Sequence, residues 1–153
     1  MRPTLQGLAV SVPTRPLNNN GTWRDQLAFD SGFVNTFNAS SFNNAGTYFK
    51  EGSSHTDLSA IRYVNTGTTD VRQGTLVLPA NSANPGRLMG NGTIVTNLVT
   101  NSGRIAPDEL TGTLTMTGAF AQTASGTLDI ELRNLTSFDL LVGRRRCLDG
   151  HLQ

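Results

Sequence analysis

Apolar and polar residues alternate over many short stretches of this chain, and glycines commonly flank these stretches. Alternation with a period of two places the apolar side chains on one face of a β-strand and the polar ones on the other. No stretch keeps apolar residues at the three- and four-residue spacing of an amphipathic helix with caps. The pattern therefore predicts an all-β protein whose strands share a covered apolar face. The clearest candidate strands are Gly74 to Leu78, Gly92 to Val95, Leu110 to Gly118 and Gly126 to Leu132.

One five-residue phrase recurs between these stretches: an apolar residue, any residue, Asn, any residue and Gly. A degenerate repeat at such spacing is typical of stacked coils, in which each strand pairs with the strands of the coils before and after it. We therefore predict a right-handed parallel β-solenoid of about six coils, each of roughly twenty to twenty-five residues. The copies are Leu17 to Gly21, Phe42 to Gly46, Tyr63 to Gly67 and Val99 to Gly103.

The asparagines of the phrase and the glycines that follow them are predicted to form the corners of the coils. Glycine adopts positive φ angles readily and asparagine tolerates them, and stacked asparagines hydrogen-bond in ladders. The Asn20-Gly21 and Asn91-Gly92 pairs are predicted to be tight hairpin turns. The corner asparagines are Asn19, Asn44, Asn65 and Asn101.

The alternative architecture is an antiparallel β-sandwich, which also has short strands and glycine-rich turns. It predicts more even strand spacing and does not require one corner phrase to recur. The recurrence favours the solenoid.

The predicted organisation is an N-terminal segment, residues 1–17, that serves as a partial cap, followed by solenoid repeats over residues 18–153. The chain is expected to be a fragment of a longer rod. Open solenoid ends expose strand edges, so we expect edge-to-edge self-association.

Composition excludes several classes of function. Net charge is +1 and 15% of residues are charged, which argues against a nucleic-acid partner. No apolar run reaches the roughly twenty residues of a transmembrane helix, so no membrane insertion is expected. Cys147 is the single cysteine, which excludes an internal disulfide and a cysteine-based metal site. The sequence assigns no role to Cys147 or to the Arg144-Arg145-Arg146 run.

Three groups of residues were weighed as sites. The Ser53 to Asp57 segment contains Ser, His and Asp, but a hydrolytic triad is assembled from separate segments, so we interpret it as a polar loop. The row Thr111, Thr113, Thr115 and Thr117 would suit an ice-binding face if neighbouring coils repeated it. The threonines of earlier segments do not continue it cleanly, neither Thr93 and Thr96 nor Thr66, Thr68 and Thr69. Carboxylates are scattered, and Asp129 and Glu131 are read as solvated strand positions. We predict no catalytic, cofactor-binding or metal-binding residue.

Several segments resemble the coils of bacterial β-strand-repeat proteins, relatives of autotransporter passengers and adhesins. The resemblance covers about Asn18 to Gln153. It implies a secreted or cell-surface bacterial protein, although no export signal is evident. The segments that carry it include Phe42 to Tyr48, Tyr63 to Leu78, Gly90 to Ile94, Gln122 to Leu132 and Phe138 to Leu141.

The sequence therefore predicts a structural and adhesive solenoid segment without catalytic activity. Its ligand is an unidentified surface partner, a carbohydrate or another protein. Two alternatives stay open: a carbohydrate-binding or carbohydrate-active β-helix, and an ice-binding or other threonine-ladder surface. A groove gathering two or more carboxylates with an arginine would overturn the adhesive interpretation in favour of carbohydrate chemistry. Threonines aligned over three coils would favour ice binding.

Overall fold

The computed structural model describes residues 8–12, 16–35, 40–108 and 111–146. The described residues form short strands and contain no helix. The strands are β1 (Leu8–Val12), β2 (Leu17–Asn19), β3 (Thr22–Asp25), β4 (Ser31–Asn35), β5 (Ser41–Asn44), β6 (Thr47–Lys50), β7 (His55–Asp57), β8 (Arg62–Asn65), β9 (Thr68–Val71), β10 (Thr75–Val77), β11 (Asn81–Asn84), β12 (Arg87–Gly90), β13 (Thr93–Val95), β14 (Leu98–Asn101), β15 (Arg104–Ala106), β16 (Thr113–Gln122), β17 (Thr127–Leu128), β18 (Leu132–Asn134), β19 (Ser137–Phe138) and β20 (Leu140–Arg146).

The strands stack in parallel as a β-solenoid of about six coils, as predicted. The first face contains β1, β4, β7, β10, β13 and the beginning of β16, and the third face contains β3, β6, β9, β12, β15 and β17. The second face contains β2, β5 and β8, then β11, β14 and the end of β16. Strand β16 joins the first two faces because it pairs with β13 through Thr115 and with β14 through Ala119. The parallel pairing rules out the sandwich.

A ladder of side-chain amides runs through the interior at the corner between the second and third faces. Each amide Nδ2 donates to the side-chain oxygen one coil further on, over distances of 2.7 to 3.0 Å. The spacing between successive members is 25, 21, 19, 17 and 21 residues, so the coils differ in length while the corner keeps its register. The members are Asn19, Asn44, Asn65, Asn84, Asn101 and Gln122.

Most members of the ladder also bind the backbone that follows the corner. Asn44 Nδ2, for example, donates to the Thr68 carbonyl at 2.8 Å. A buried amide without partners is costly, and these amides are satisfied along the ladder and across it. The ladder therefore fixes where each coil turns.

Aromatic and aliphatic side chains fill the rest of the interior. Phe42 is fully buried and lies 5.5 to 5.8 Å, centroid to centroid, from Trp23, Phe33, Tyr48 and Tyr63. Later coils replace the aromatic rings with aliphatic side chains such as Leu88 and Ile105. The shorter coils thus coincide with smaller core residues.

The corner glycines Gly46, Gly67 and Gly103, though not Gly21 of the first coil, are required by close packing and not, as predicted, by positive φ. A Cβ atom on Gly67 would lie well inside 3.0 Å of the Gly46 carbonyl oxygen, and one on Gly46 would meet Gly21 in the same way. Positive φ occurs among the described glycines at Gly74, which follows β9, and at Gly90, which ends β12. The glycines of the phrase therefore form a column in which the backbones of successive coils touch.

Two local predictions are wrong. The Asn20-Gly21 pair connects β2 to β3 on different faces, and Asn91-Gly92 connects β12 to β13, so neither is a hairpin. The antiparallel pair among the described strands is β18–β19.

The expected strand from Gly126 to Leu132 is also broken, because β17 ends at Leu128 and β18 begins at Leu132. Asp139 accepts the Glu131 amide at 2.9 Å and diverts the chain. Asp129 and Glu131 consequently lie outside the strands. The apolar residues predicted to share a buried face there, Leu128, Ile130 and Leu132, are exposed.

Strand β1 lies inside the predicted N-terminal segment and pairs in parallel with β4. Leu17, the last residue of that segment, begins β2. Residues 1–7 and 13–15 lie outside the described residues, so the partial cap stays a prediction.

Candidate functional site

The outward positions of the third face form two aligned rows, because every strand pair on it is parallel and in register. One row runs through Thr22, Thr47, Thr68, Arg87, Arg104 and Thr127. The other runs through Arg24, Phe49, Asp70, Met89 and Ala106, of which Asp70, Met89 and Ala106 are almost completely buried. Side chains from separate coils are thereby brought onto one surface.

A charged cluster crosses three coils of this face. Arg24 and Arg72 both contact Oε1 of Glu51, at 2.5 and 3.0 Å. The same two guanidinium groups lie over the Phe49 ring, at 4.7 and 4.1 Å from its centroid. Cation–π and ionic contacts together hold both arginines in one arrangement.

Arg72 is the most constrained member of the cluster. Its Nε donates to Asp70 Oδ2 at 2.7 Å in addition to the Glu51 contact. The hydrogen bond to Asp70 raises the pKa of Arg72 above its usual value. The arginine therefore stays charged and keeps a fixed orientation.

Beside this cluster lies a groove of about 530 Å³. Its walls come from β6, β9 and β12 and from residues that follow β9, β12 and β15. At its far end Asn91 Nδ2 donates to Asp108 Oδ2 at 2.5 Å. The lining residues are Thr47, Phe49, Thr68, Asp70, Arg72, Arg87, Met89, Asn91 and Asp108.

The groove gathers two carboxylates with two arginines, the arrangement that the sequence analysis linked to carbohydrate chemistry. One oxygen of Asp70 is held by Arg72 and one oxygen of Asp108 by Asn91. Both carboxylates therefore act as hydrogen-bond acceptors that orient neighbouring donors. Such a surface suits binding through fixed polar groups.

The Ser53 to Asp57 segment does not form a catalytic triad. His55 to Asp57 is strand β7 and not the predicted loop, with His55 and Asp57 exposed and Thr56 buried. His55 faces Asp30 at 3.5 Å, whereas Asp57 accepts the Ser59 amide at 2.8 Å. Ser54 donates to the carbonyl groups of Leu27 and Phe29, each at 2.8 Å.

The threonine row extends across coils at one of its members, Thr115, so the expectation that Thr93 does not continue the row is wrong at that position. Thr75 pairs with Thr93, and Thr93 pairs with Thr115, so three threonines align on the first face. This alignment of threonines ends where Thr75 pairs with His55 on one side and where Thr115 pairs with Val142 on the other. Thr111 lies before β16, and Thr113 and Thr117 are exposed on that strand.

A second polar cluster is buried between the first coils. Asp25 accepts hydrogen bonds from the hydroxyl groups of Tyr48, at 3.0 Å, and Thr56. Burial, with the nearby Asp25, raises the pKa of Tyr48 well above its usual value. Lys50 is fully buried and donates to the Gly52 carbonyl at 2.5 Å, and desolvation lowers its pKa. A cavity of about 370 Å³ lies beside this cluster, next to Trp23 and Phe33.

Sequence reasoning missed the third-face site although a signal was present. Arg24, Phe49, Asp70 and Met89 each stand five positions after a ladder asparagine, Asn19, Asn44, Asn65 and Asn84 respectively. Asn84 itself was missed because buried Ser82 replaces the apolar residue of the phrase. Gln122 was missed because it substitutes for asparagine in the ladder.

Within the part of the chain that the structure describes, no three His, Cys, Asp or Glu side chains gather as metal ligands. That part also has no helix suited to crossing a membrane. Arg144, Arg145 and Arg146 end strand β20, and Arg144 is exposed. Cys147 lies outside the described residues.

Comparison of the chain with protein-family models, curated proteins and solved structures found no match.

Proposed function

We propose that this chain is a structural and adhesive segment of a secreted or cell-surface bacterial protein, without catalytic activity. The observation that carries the proposal is the groove on the third face, in which Arg72 is already paired with Asp70 and Asp108 is already held by Asn91. Side chains that are already held in place lose less conformational entropy when a ligand binds. The groove thus serves as the recognition site of the solenoid.

The interior supports the structural half of the proposal. The amide ladder runs from Asn19 to Gln122 along the corner between the second and third faces, and it holds adjacent coils in register. A site built on such strands keeps its geometry better than one on loops. The rod therefore presents the groove as a stiff surface.

A bead-adhesion assay tests the proposal. Beads coated with the chain are passed over separate surfaces of a neutral polysaccharide, an anionic polysaccharide and collagen, with albumin as background. We expect adhesion to at least one surface and a marked loss with Arg72→Gln. The matched control is Arg62→Gln, because Arg62 is exposed on the second face. Background adhesion everywhere, or equal loss for both variants, contradicts the proposal.

A second candidate function is ordering of water at an ice surface, favoured by the alignment of Thr75, Thr93 and Thr115. Regular hydroxyl and methyl groups at strand spacing form a repeating array. Inhibition of ice recrystallisation tests it. Thr93→Lys should abolish the effect while Thr66→Lys, at an exposed corner, should preserve it. An inactive wild-type chain contradicts this candidate.

A further inference from the structure

We propose that the groove on the third face binds a neutral oligosaccharide. This inference rests on the proposed adhesive function and specifies the ligand class of the same site. The length of the groove, its charge and the donors that it presents all support this ligand class.

The groove is long enough for a chain of linked sugar rings. It crosses β6, β9 and β12 and ends beside Asp108, which follows β15. Neighbouring strands lie about 4.8 Å apart, so these four coils span roughly 14 Å. An extended oligomer lying across the strands fits this shape better than a compact molecule does.

The charge of the groove favours an uncharged ligand. Asp70 and Asp108 balance Arg72 and Arg87 among its lining residues. Polyanions are attracted by an excess of positive charge, which this balance removes. An anionic polysaccharide is therefore disfavoured.

The groups in the groove match vicinal hydroxyls. A guanidinium carries five N–H donors, and the contacts of Arg72 with Asp70 and Glu51 use Nε and Nη1. The half-buried Asp108 carboxylate presents acceptor oxygens at the end of the groove, whereas Asp70 is buried and serves to hold Arg72. Fixed donors and acceptors side by side bind a diol through one donated and one accepted hydrogen bond. The half-buried Phe49, which also lines the groove, supplies apolar surface for the ring carbons.

Binding is tested by calorimetry and by amide chemical shifts with soluble hexasaccharides of glucose, xylose and mannose, and with a hexagalacturonate as the anionic probe. We expect a neutral hexasaccharide to bind, with little dependence on salt, and to shift amides in β6, β9 and β12. Arg72→Gln should weaken binding about tenfold or more, as expected for a hydrogen bond to a charged group. Arg62→Gln should leave the affinity unchanged.

A second pair of variants keeps the test informative if Arg72→Gln disturbs the charged cluster. Asp108→Asn preserves shape at the end of the groove and should weaken binding, whereas Asp57→Asn on the first face should not. Tighter binding of the hexagalacturonate than of every neutral hexasaccharide overturns the proposal that the ligand is neutral. Binding unaffected by both groove variants overturns the site. If no hexasaccharide binds while coated beads adhere to collagen, the inference fails and the adhesive function stands.

Discussion

The side-chain amide of Asn44 donates a 2.9 Å hydrogen bond to Oδ1 of Asn65 on the next coil, and both side chains are buried. Asn65 in turn donates to Asn84 at 3.0 Å. Each amide therefore satisfies its neighbours, and the removal of one leaves unpaired groups on both sides. This coupling distinguishes the ladder from the polar residues on the surface.

Asn65→Ala should lower the free energy of unfolding by about 2 kcal/mol, because it leaves a donor of Asn44 and an acceptor of Asn84 unsatisfied. The melting temperature should fall by about 4–8 °C for a chain of this size. The control is Asn43→Ala, which breaks an exposed contact with Asn18 on the outside of the same corner. Equal losses of stability in the two variants would show that a buried asparagine of the ladder contributes no more than an exposed one.

Gly67→Ala should be severely destabilising, because its Cβ would lie against the Gly46 carbonyl oxygen of the previous coil. The clash is with backbone and cannot be relieved by a rotamer change. Gly21→Ala is the matched variant, since among the described residues no atom beyond its two chain neighbours lies within 4 Å of a Cβ placed there, and it should change stability by less than about 1 kcal/mol. Thermal melting followed by circular dichroism measures both. A mild effect at Gly67 would contradict the close packing of the glycine column.

Lys50 should make stability depend on pH. Desolvation lowers its pKa in the fold, so with rising pH the folded chain releases this proton before the unfolded chain does. The unfolded state then binds more protons, and the free energy of unfolding contributed by this group rises with pH toward the ordinary lysine value. Relative to Lys50→Met, the wild-type chain should therefore gain stability as the pH rises toward the ordinary lysine value.

Urea unfolding at several pH values measures this difference. The pKa values of Tyr48 and Tyr63 are raised in the fold, so these two groups lower the free energy of unfolding as pH rises. They do so only as pH approaches 10 and above, where unfolded tyrosines ionise. Measurements kept below the pH at which unfolded tyrosines ionise avoid the contribution of Tyr48 and Tyr63. A constant difference between the wild-type and variant chains would show that Lys50 does not titrate as its burial indicates.

The described apolar residues near the last coil should promote self-association. Leu132 is 78% exposed and Leu135, at the tip of the β18–β19 hairpin, is 98% exposed. Burial of such side chains is favourable by about 25 cal/mol per Å² of apolar surface. The double variant Leu132→Gln and Leu135→Gln should reduce association in sedimentation equilibrium, while Thr136→Gln should not. A wild-type chain that stays monomeric at high concentration would contradict this expectation.

The sequence by itself determined the architecture. The recurring asparagines and glycines mark the one corner whose geometry must be identical in every coil, since an amide ladder and a backbone contact both require it. Residues at a fixed distance from that corner, such as Phe49 and Asp70, are aligned by the same repeat and were within reach of prediction.

Only the tertiary structure decided which residues meet on the first face and at the last coil. The segments between the third and first faces vary in length, so the alignment of Thr75, Thr93 and Thr115 depends on strand pairing and not on spacing. The break after Leu128 depends on Asp139, a residue further along the chain. Such contacts join segments that are separated along the chain by variable distances, so no local sequence pattern predicts them.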